Sequence, residues 1–194
     1  MITSQQYKDA ATRLRCEPEA IRAVDQVEAP GGGFDSHGTL VILFEPHIFY
    51  KELRKAGIDP TPLVKQYPRL VSPVWNPNLY GGHSEQWGKL QQAITIHKEA
   101  AEKSASYGRY QILGQNYKAA GYDTVDLMLT DYQKGEDRQL NSFVTYILNN
   151  QLDDELRSHD WASFARQYNG PSYWKNQYDT KIRKAYETAK KQGV

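Results

Sequence analysis

The chain contains a single cysteine, Cys16, among its 194 residues. An intramolecular disulfide framework is therefore excluded, and the fold cannot depend on an oxidising compartment. Cys16 lies in a short helical stretch between Arg15 and Glu17, where a half-buried structural thiol is expected rather than a reactive one. No apolar run approaches the roughly 20 residues of a membrane span. The stretch Met1 to Arg15 is polar and has no apolar centre of a secretory signal, so synthesis and folding in a cytoplasm are expected. An excess of one charge sign is missing as well. There are 24 Lys and Arg against 23 Asp and Glu, for a net charge of +1. Nucleic-acid binders present a clustered basic face, whereas these cations are scattered among acids, so no nucleic acid is expected as a partner.

Metal and nucleophile signatures are absent too. His37, His47, His83, His97 and His159 have no His, Cys or acid partner at a familiar ligand spacing, and no HExxH occurs. Ser104 and Ser106 lack the context of a nucleophile elbow. No metal and no cofactor are therefore expected.

What the chain does have is Tyr and Trp. There are 14 Tyr and 4 Trp against 5 Phe. These side chains join a flat apolar face to a polar tip, which suits sugar-binding grooves as well as ordinary packing. At 39% hydrophobic and 24% charged residues, the composition is that of a globular chain large enough for a sizeable core. One domain over residues 1–194 is expected.

Periodicity predicts a mostly helical α+β chain. Ser4 is placed to cap a helix to about Arg15, with Tyr7, Ala11 and Leu14 inward. Pro18 starts a second helix that carries Ile21, Val24 and Val27 inward and stops at Glu28 before Ala29-Pro30-Gly31-Gly32-Gly33. Leu40 to Phe44 reads as a strand of a small hairpin or sheet in the N-terminal third. A short helix over Ile48 to Ala56 follows, and residues 59–82, with five prolines, read as a long irregular excursion. Ser84 should cap a helix whose stripe is Trp87, Leu90, Ile94, His97 and Ala101, which makes His97 a core residue. Further helices are predicted from Asp123 to Gln133, through Leu140 to about Leu156, from Asp160 to Tyr168, and from Tyr173 to Lys191 with Trp174, Tyr178, Ile182 and Tyr186 on one side.

Glu28 stands on the last turn of its helix, facing the negative end of the macrodipole, beside Val24, Val27 and Ala29. Both features favour a protonated carboxyl, and a protonated carboxyl can act as a general acid. Glu45 follows 17 residues later (45 − 28) at the end of the strand. A hairpin there can bring a second carboxylate to face the first. Asp25 and Asp35 are weaker alternatives for that second role.

Three fragments sharpen this. Ser104-Ala-Ser-Tyr-Gly-Arg-Tyr-Gln-Ile-Leu-Gly resembles the Ser/Gly/Gln motif of lysozyme-like glycosidases and lytic transglycosylases, and Phe164-Ala-Arg-Gln-Tyr-Asn-Gly-Pro resembles their Tyr-Asn-Gly segment. With Ala23-Val-Asp-Gln-Val-Glu-Ala and Ile42-Leu-Phe-Glu-Pro-His-Ile-Phe in front, the whole is similar to the N-acetylmuramidase family of phage and prophage endolysins, from about residue 8 to 188. The family often has Arg in place of Pro46 and Trp in place of Tyr107, which bears on groove detail rather than fold. The resemblance implies a lysozyme-like fold, no metal, and cleavage between N-acetylmuramic acid and N-acetylglucosamine with Glu28 as the acid; Glu45, from its place at the strand end, is the expected second carboxylate beside it. Ser106, Tyr107, Gln111, Tyr168 and Asn169 are then the expected substrate contacts. Peptidoglycan glycan strands are the expected partner of a monomer without a separate wall-binding domain. It would be made in a host bacterial cytoplasm and act on periplasmic peptidoglycan after release. A lytic transglycosylase and a non-catalytic wall-binding or structural phage module are the competing readings.

Overall fold

The computed structural model of the chain describes residues 1–29, 31–171 and 173–192; Pro30, expected to stop the second helix, lies outside them. In chain order the elements are α1 (Ser4–Leu14), α2 (Pro18–Glu28), β1 (Ile42–Phe44), α3 (Pro46–Lys55), α4 (Thr61–Gln66), α5 (Gln86–Ile96), α6 (Lys98–Lys103), β2 (Ala105–Tyr107), β3 (Ile112–Leu113), α7 (Val125–Tyr132), α8 (Glu136–Asn149), α9 (Asp153–Ser158), α10 (Trp161–Asn169) and α11 (Tyr178–Gln192). The expected mostly helical α+β class holds.

Local chemistry explains most starts. Thr3, one residue ahead of the expected Ser4, caps α1. Its hydroxyl accepts from the Gln6 amide at 3.2 Å while the Gln6 side chain accepts from the Thr3 amide at 2.7 Å. Pro18 opens α2 with its fixed φ, and Asp160 accepts from Ser163 N at 3.1 Å to start α10. Thr124, rather than Asp123, caps α7.

Several expected helices are divided. The stripe through Trp87 breaks at His97, whose backbone is extended and whose Nδ1 accepts from Ala100 N at 3.1 Å. His97 thus caps α6 instead of packing as a core residue, and the β-branched run Ile94-Thr95-Ile96 before it is a weak helix former. The helix expected through Leu156 ends at Asn149. Gln151 takes a left-handed φ of 56°, and Leu152 N donates to Ile147 O at 3.0 Å, which closes α8 with a Schellman-type bond. Gln177, with φ of 54°, likewise separates α11 from the turn that holds Trp174, leaving Trp174 exposed instead of on the α11 stripe. The 59–82 excursion contains one short helix, α4.

The sheet is antiparallel in the order β1-β2-β3, with Ile42 opposite Tyr107 and Tyr107 opposite Ile112. The partners of the N-terminal strand therefore come from the Ser-Ala-Ser-Tyr motif more than sixty residues later in the chain. Only Phe34 and Leu40 form a local bridge before β1. The turn from β2 to β3 needs Gly108, whose φ is +68° and where a Cβ would lie 2.6 Å from the Gln139 amide oxygen. The core runs from α1 and α2 through the sheet to α8 and α10. It holds Phe44 edge-on to Phe49 at 5.6 Å and Tyr110 stacked on Phe143 at 4.4 Å. Each fully buried Phe or Leu contributes about 1.5–3 kcal/mol to such a core. Cys16 is half-buried, and burial pushes its thiol up to about 11, as befits an inert thiol. No helix among the described residues is long and apolar enough to cross a membrane.

Candidate active site

A cleft of about 510 Å³ opens where the sheet meets α2, α8 and α10. Its walls include Glu28, Glu45, Ser106, Gln111, Tyr168 and Asn169, so six of the seven expected site residues gather there. Tyr107 does not, because strand residues alternate faces. Leu43, Ser106 and Leu113 pair across the sheet and line the cleft, whereas Tyr107 pairs with Ile42 and Ile112 one position along and is fully buried. The Tyr107 hydroxyl donates to the Glu102 carbonyl at 2.9 Å. It is a sheet-anchoring residue and not a groove contact.

Glu28 is the last residue of α2. Asn169, the last residue of α10, donates from Nδ2 to Glu28 Oε1 at 2.9 Å. That one bond joins residues 141 apart in the chain and leaves Glu28 Oε2 without an intramolecular hydrogen bond among the described residues. Burial raises the Glu28 carboxyl above the ordinary carboxylate range, against the Asn169 bond and the charge of Lys181. The helix end acts in the same upward direction. Glu28 is thus a carboxyl biased toward its protonated form, with one oxygen held and one available.

Glu45 immediately precedes α3, makes no side-chain capping bond there, and reaches the same cleft. Burial raises it too, opposed by a hydrogen bond that the Tyr80 hydroxyl donates to Oε2. His47 Nδ1 lies 3.4 Å from the same oxygen, and burial and Lys51 hold this imidazole below its usual value. The two carboxyls therefore differ. Glu28 stands at the C-terminal end of a helix with one amide donor, while Glu45 stands at a helix start with a phenol donating to one oxygen, a bond that opposes the upward effect of burial.

Asp25 and Asp35, the alternatives, have other work. Asp25 is buried and receives Arg109 Nε at 2.5 Å, Arg109 Nη2 at 2.6 Å and the Tyr7 hydroxyl at 2.6 Å. Arg109 also donates to Glu136 Oε1 at 2.9 Å, and that oxygen accepts from Gly33 N at 2.7 Å. This network ties α2, the β2–β3 turn, α8 and the Gly31–Gly33 loop together around Glu28. A Cβ at Gly33 would sit 2.1 Å from the Gln139 amide oxygen, so any larger residue there would displace the Gln139 side chain. Asp35 closes an exposed turn through His37 N and Thr39 N.

Gln111 holds a left-handed φ of 46°, unusual for a side chain other than glycine. Its Nε2 donates to Gly108 O at 2.8 Å, which orients the amide at the cleft. Strain of this kind recurs at sites that position a ligand. Ser106 lies on the floor, in the middle strand. Tyr168 presents a wall whose hydroxyl is occupied by Tyr110 O at 2.7 Å and whose ring stacks on Phe164. Tyr110, Asn116, Tyr146 and Tyr178 complete the cleft. Of these, Asn116 and Tyr146 carry no local motif and only the fold reveals them. A second cleft of about 370 Å³, lined by Phe34, Asp35, Val41, His83 and Arg109, shares Glu28 and Gln111 with the first. Glu28 and Gln111 therefore stand between two neighbouring clefts. Among the described residues no three His, Cys, Asp or Glu side chains gather into a metal-binding group.

Comparison with known proteins adds to this geometry. The model of a protein family described as N-acetylmuramidase matches residues 17–190. Among solved structures, a Burkholderia AP3 phage endolysin superposes with a TM-score of 0.89 at 36% sequence identity, over 98% of this chain and 72% of that one. No curated protein sequence matches.

Proposed function

The chain belongs to the N-acetylmuramidase family, a lysozyme-type glycoside hydrolase acting on peptidoglycan, and from that premise we propose that it hydrolyses the β-1,4 bond between N-acetylmuramic acid and N-acetylglucosamine with Glu28 as general acid. The observation that carries this reading is the pair of half-buried carboxyls, Glu28 and Glu45, from different elements on one cleft. Glycoside cleavage needs a proton on the departing oxygen and a negative group for the positive charge that develops on the sugar ring. Glu28, whose carboxyl burial raises toward the protonated form, supplies the proton through its unbonded oxygen. Once it has done so it is an anion, and Asn169 Nδ2 stabilises that product carboxylate at the moment it forms. Glu45, hydrogen-bonded by Tyr80, acts as the charged partner on the developing cation or the incoming water.

The two neighbouring clefts that share Glu28 suit an extended strand cut internally. Ser106, Gln111 and Asn116 offer hydroxyl and amide groups to N-acetyl and hydroxyl groups. Action of an endolysin of this kind requires access to periplasmic peptidoglycan after synthesis in the host cytoplasm.

Digestion of purified peptidoglycan followed by mass spectrometry tests the proposal. Reducing N-acetylmuramic acid ends are expected. Reducing N-acetylglucosamine ends would reassign the bond, and 1,6-anhydro ends would show transglycosylation, in which the second carboxylate is not needed to activate water.

A further inference from the structure

The segment 72–82 carries two of the exposed large apolar side chains, Val74 at 64% and Trp75 at 62% exposure. An indole left in water without packing forgoes most of its hydrophobic stabilisation, so its position calls for a reason. The segment is not a loose loop. Ser72 N donates to Pro46 O at 3.2 Å, and its hydroxyl donates to Val74 O at 2.6 Å. At the other end, buried Gln86 donates from Nε2 to Tyr80 O at 2.8 Å and Gly82 O at 3.0 Å, while its Oε1 accepts from Phe44 N at 3.0 Å. Lys89 is buried at 6% exposure, and its ammonium donates to the carbonyls of Leu79 and Tyr80. Burying a lysine is costly unless its donors are used, and here they fasten this segment to α5. Pro73 and Pro77 restrict the backbone on either side of Trp75.

The anchored segment then meets the active site. The Tyr80 hydroxyl donates to Glu45 Oε2 in the cleft, and the Trp75 indole neighbours that same phenol. Trp75 is therefore a rigid, solvent-facing aromatic face within two side chains of the second carboxylate. Building on the muramidase reading, we propose that Trp75 is a saccharide-stacking platform that receives the apolar face of an N-acetylated sugar at the Glu45 end of the groove. An indole face suits the C–H face of a pyranose. Rigid presentation reduces the entropy lost on binding, which is what the Gln86 and Lys89 fastenings provide.

The test is calorimetric titration of soluble, peptide-free peptidoglycan glycan strands into Glu28→Gln, which holds the ligand without rapid turnover. Trp75→Ala in that background is expected to weaken affinity by roughly three- to tenfold, the scale of one aromatic contact. Trp75→Phe, which keeps a ring, should restore most of it. Melting curves establish that each variant is folded, as expected for so exposed a side chain. Equal affinity of the Ala variant and its parent would overturn the proposal while leaving the muramidase reading intact. Failure of Glu28→Gln itself to bind glycan would instead remove that reading and the proposal with it. Sedimentation covers the rival occupant: if Trp75→Ala abolishes self-association without changing glycan affinity, the face belongs to a second copy of the chain and the proposal is wrong.

Discussion

Replacing Glu28 with Gln should abolish catalysis and stabilise the protein in the same variant. The substitution is nearly isosteric, so it leaves no cavity, and the Gln carbonyl can still accept from Asn169 Nδ2, now 2.9 Å from Oε1. What disappears is the transferable proton. Loss of a general acid lowers the rate by about 10²- to 10⁴-fold, or roughly 3–5 kcal/mol of transition-state stabilisation. Stability moves the other way because Glu28 is raised by burial. Between the ordinary carboxyl value and the raised one, the folded state holds the proton that the unfolded state has released. The folded form therefore binds more protons, and stability falls as pH rises through that window. The contribution is fully present below the unfolded pKa and lost above the folded one. Gln never ionises, so its melting temperature should meet that of the parent in acid, overtake it as pH rises, and stay ahead at neutrality. Initial rates of reducing-end release from purified peptidoglycan, with calorimetric melts from about pH 3 to about pH 8 to bracket the carboxyl range, read both effects. A parent-like rate would refute Glu28 as the acid. A Gln variant that melts lower than the parent at neutrality would refute the buried-carboxyl account.

Glu45→Gln should reduce turnover less than Glu28→Gln and leave glycan affinity nearly unchanged, because its role belongs to the transition state; parent-like kcat at a temperature where both proteins are folded would contradict this. Tyr80→Phe removes a bond that holds Glu45 down, so the Glu45 carboxyl should rise and the acidic limb of the rate profile move to higher pH, and an unmoved limb in a pH–kcat series would show that Tyr80 does not govern Glu45. Arg109→Met strands Asp25 and Glu136 without their shared cation. Breaking a buried ion pair costs about 3–5 kcal/mol, which at about 2–4 °C per kcal/mol gives a melting temperature lower by roughly 6–20 °C, measured by calorimetry at neutral pH. Tyr107→Phe should lose only the bond to Glu102 O, about 1–2 kcal/mol, with turnover per folded molecule unchanged in the reducing-end assay; a large rise in KM would return Tyr107 to the groove.

Much of this protein is legible one segment at a time. Pro18 and Glu28 bound α2 as read from the chain, since a proline start and a glycine-rich stop act within a few residues. Glu28 stands out on local grounds because a helix end and an apolar flank are both sequence-near. The helical class follows from periodicity, and the spans fail where capping or left-handed residues intervene, at His97, Gln151 and Gln177. Tyr107 was misread for a different reason. Its side of the sheet depends on register with Ile42 and Ile112, and a shift of one residue exchanges the two faces. Long-range contacts are beyond local reading altogether. Asn169 meets Glu28, and Arg109 meets both Asp25 and Glu136, only because α2 packs on α11 beside α10 and the β2–β3 turn closes on α8. Tyr80 and Trp75 lie in a proline-rich excursion with no periodicity to announce them, and only the fastening of that segment by Gln86 and Lys89 brings them to Glu45. The sequence by itself determined which carboxyl could be the acid, because propensity, capping and helix-end electrostatics are local. The tertiary structure decided what surrounds that acid, because burial and pairing across the chain exist only once the elements have packed.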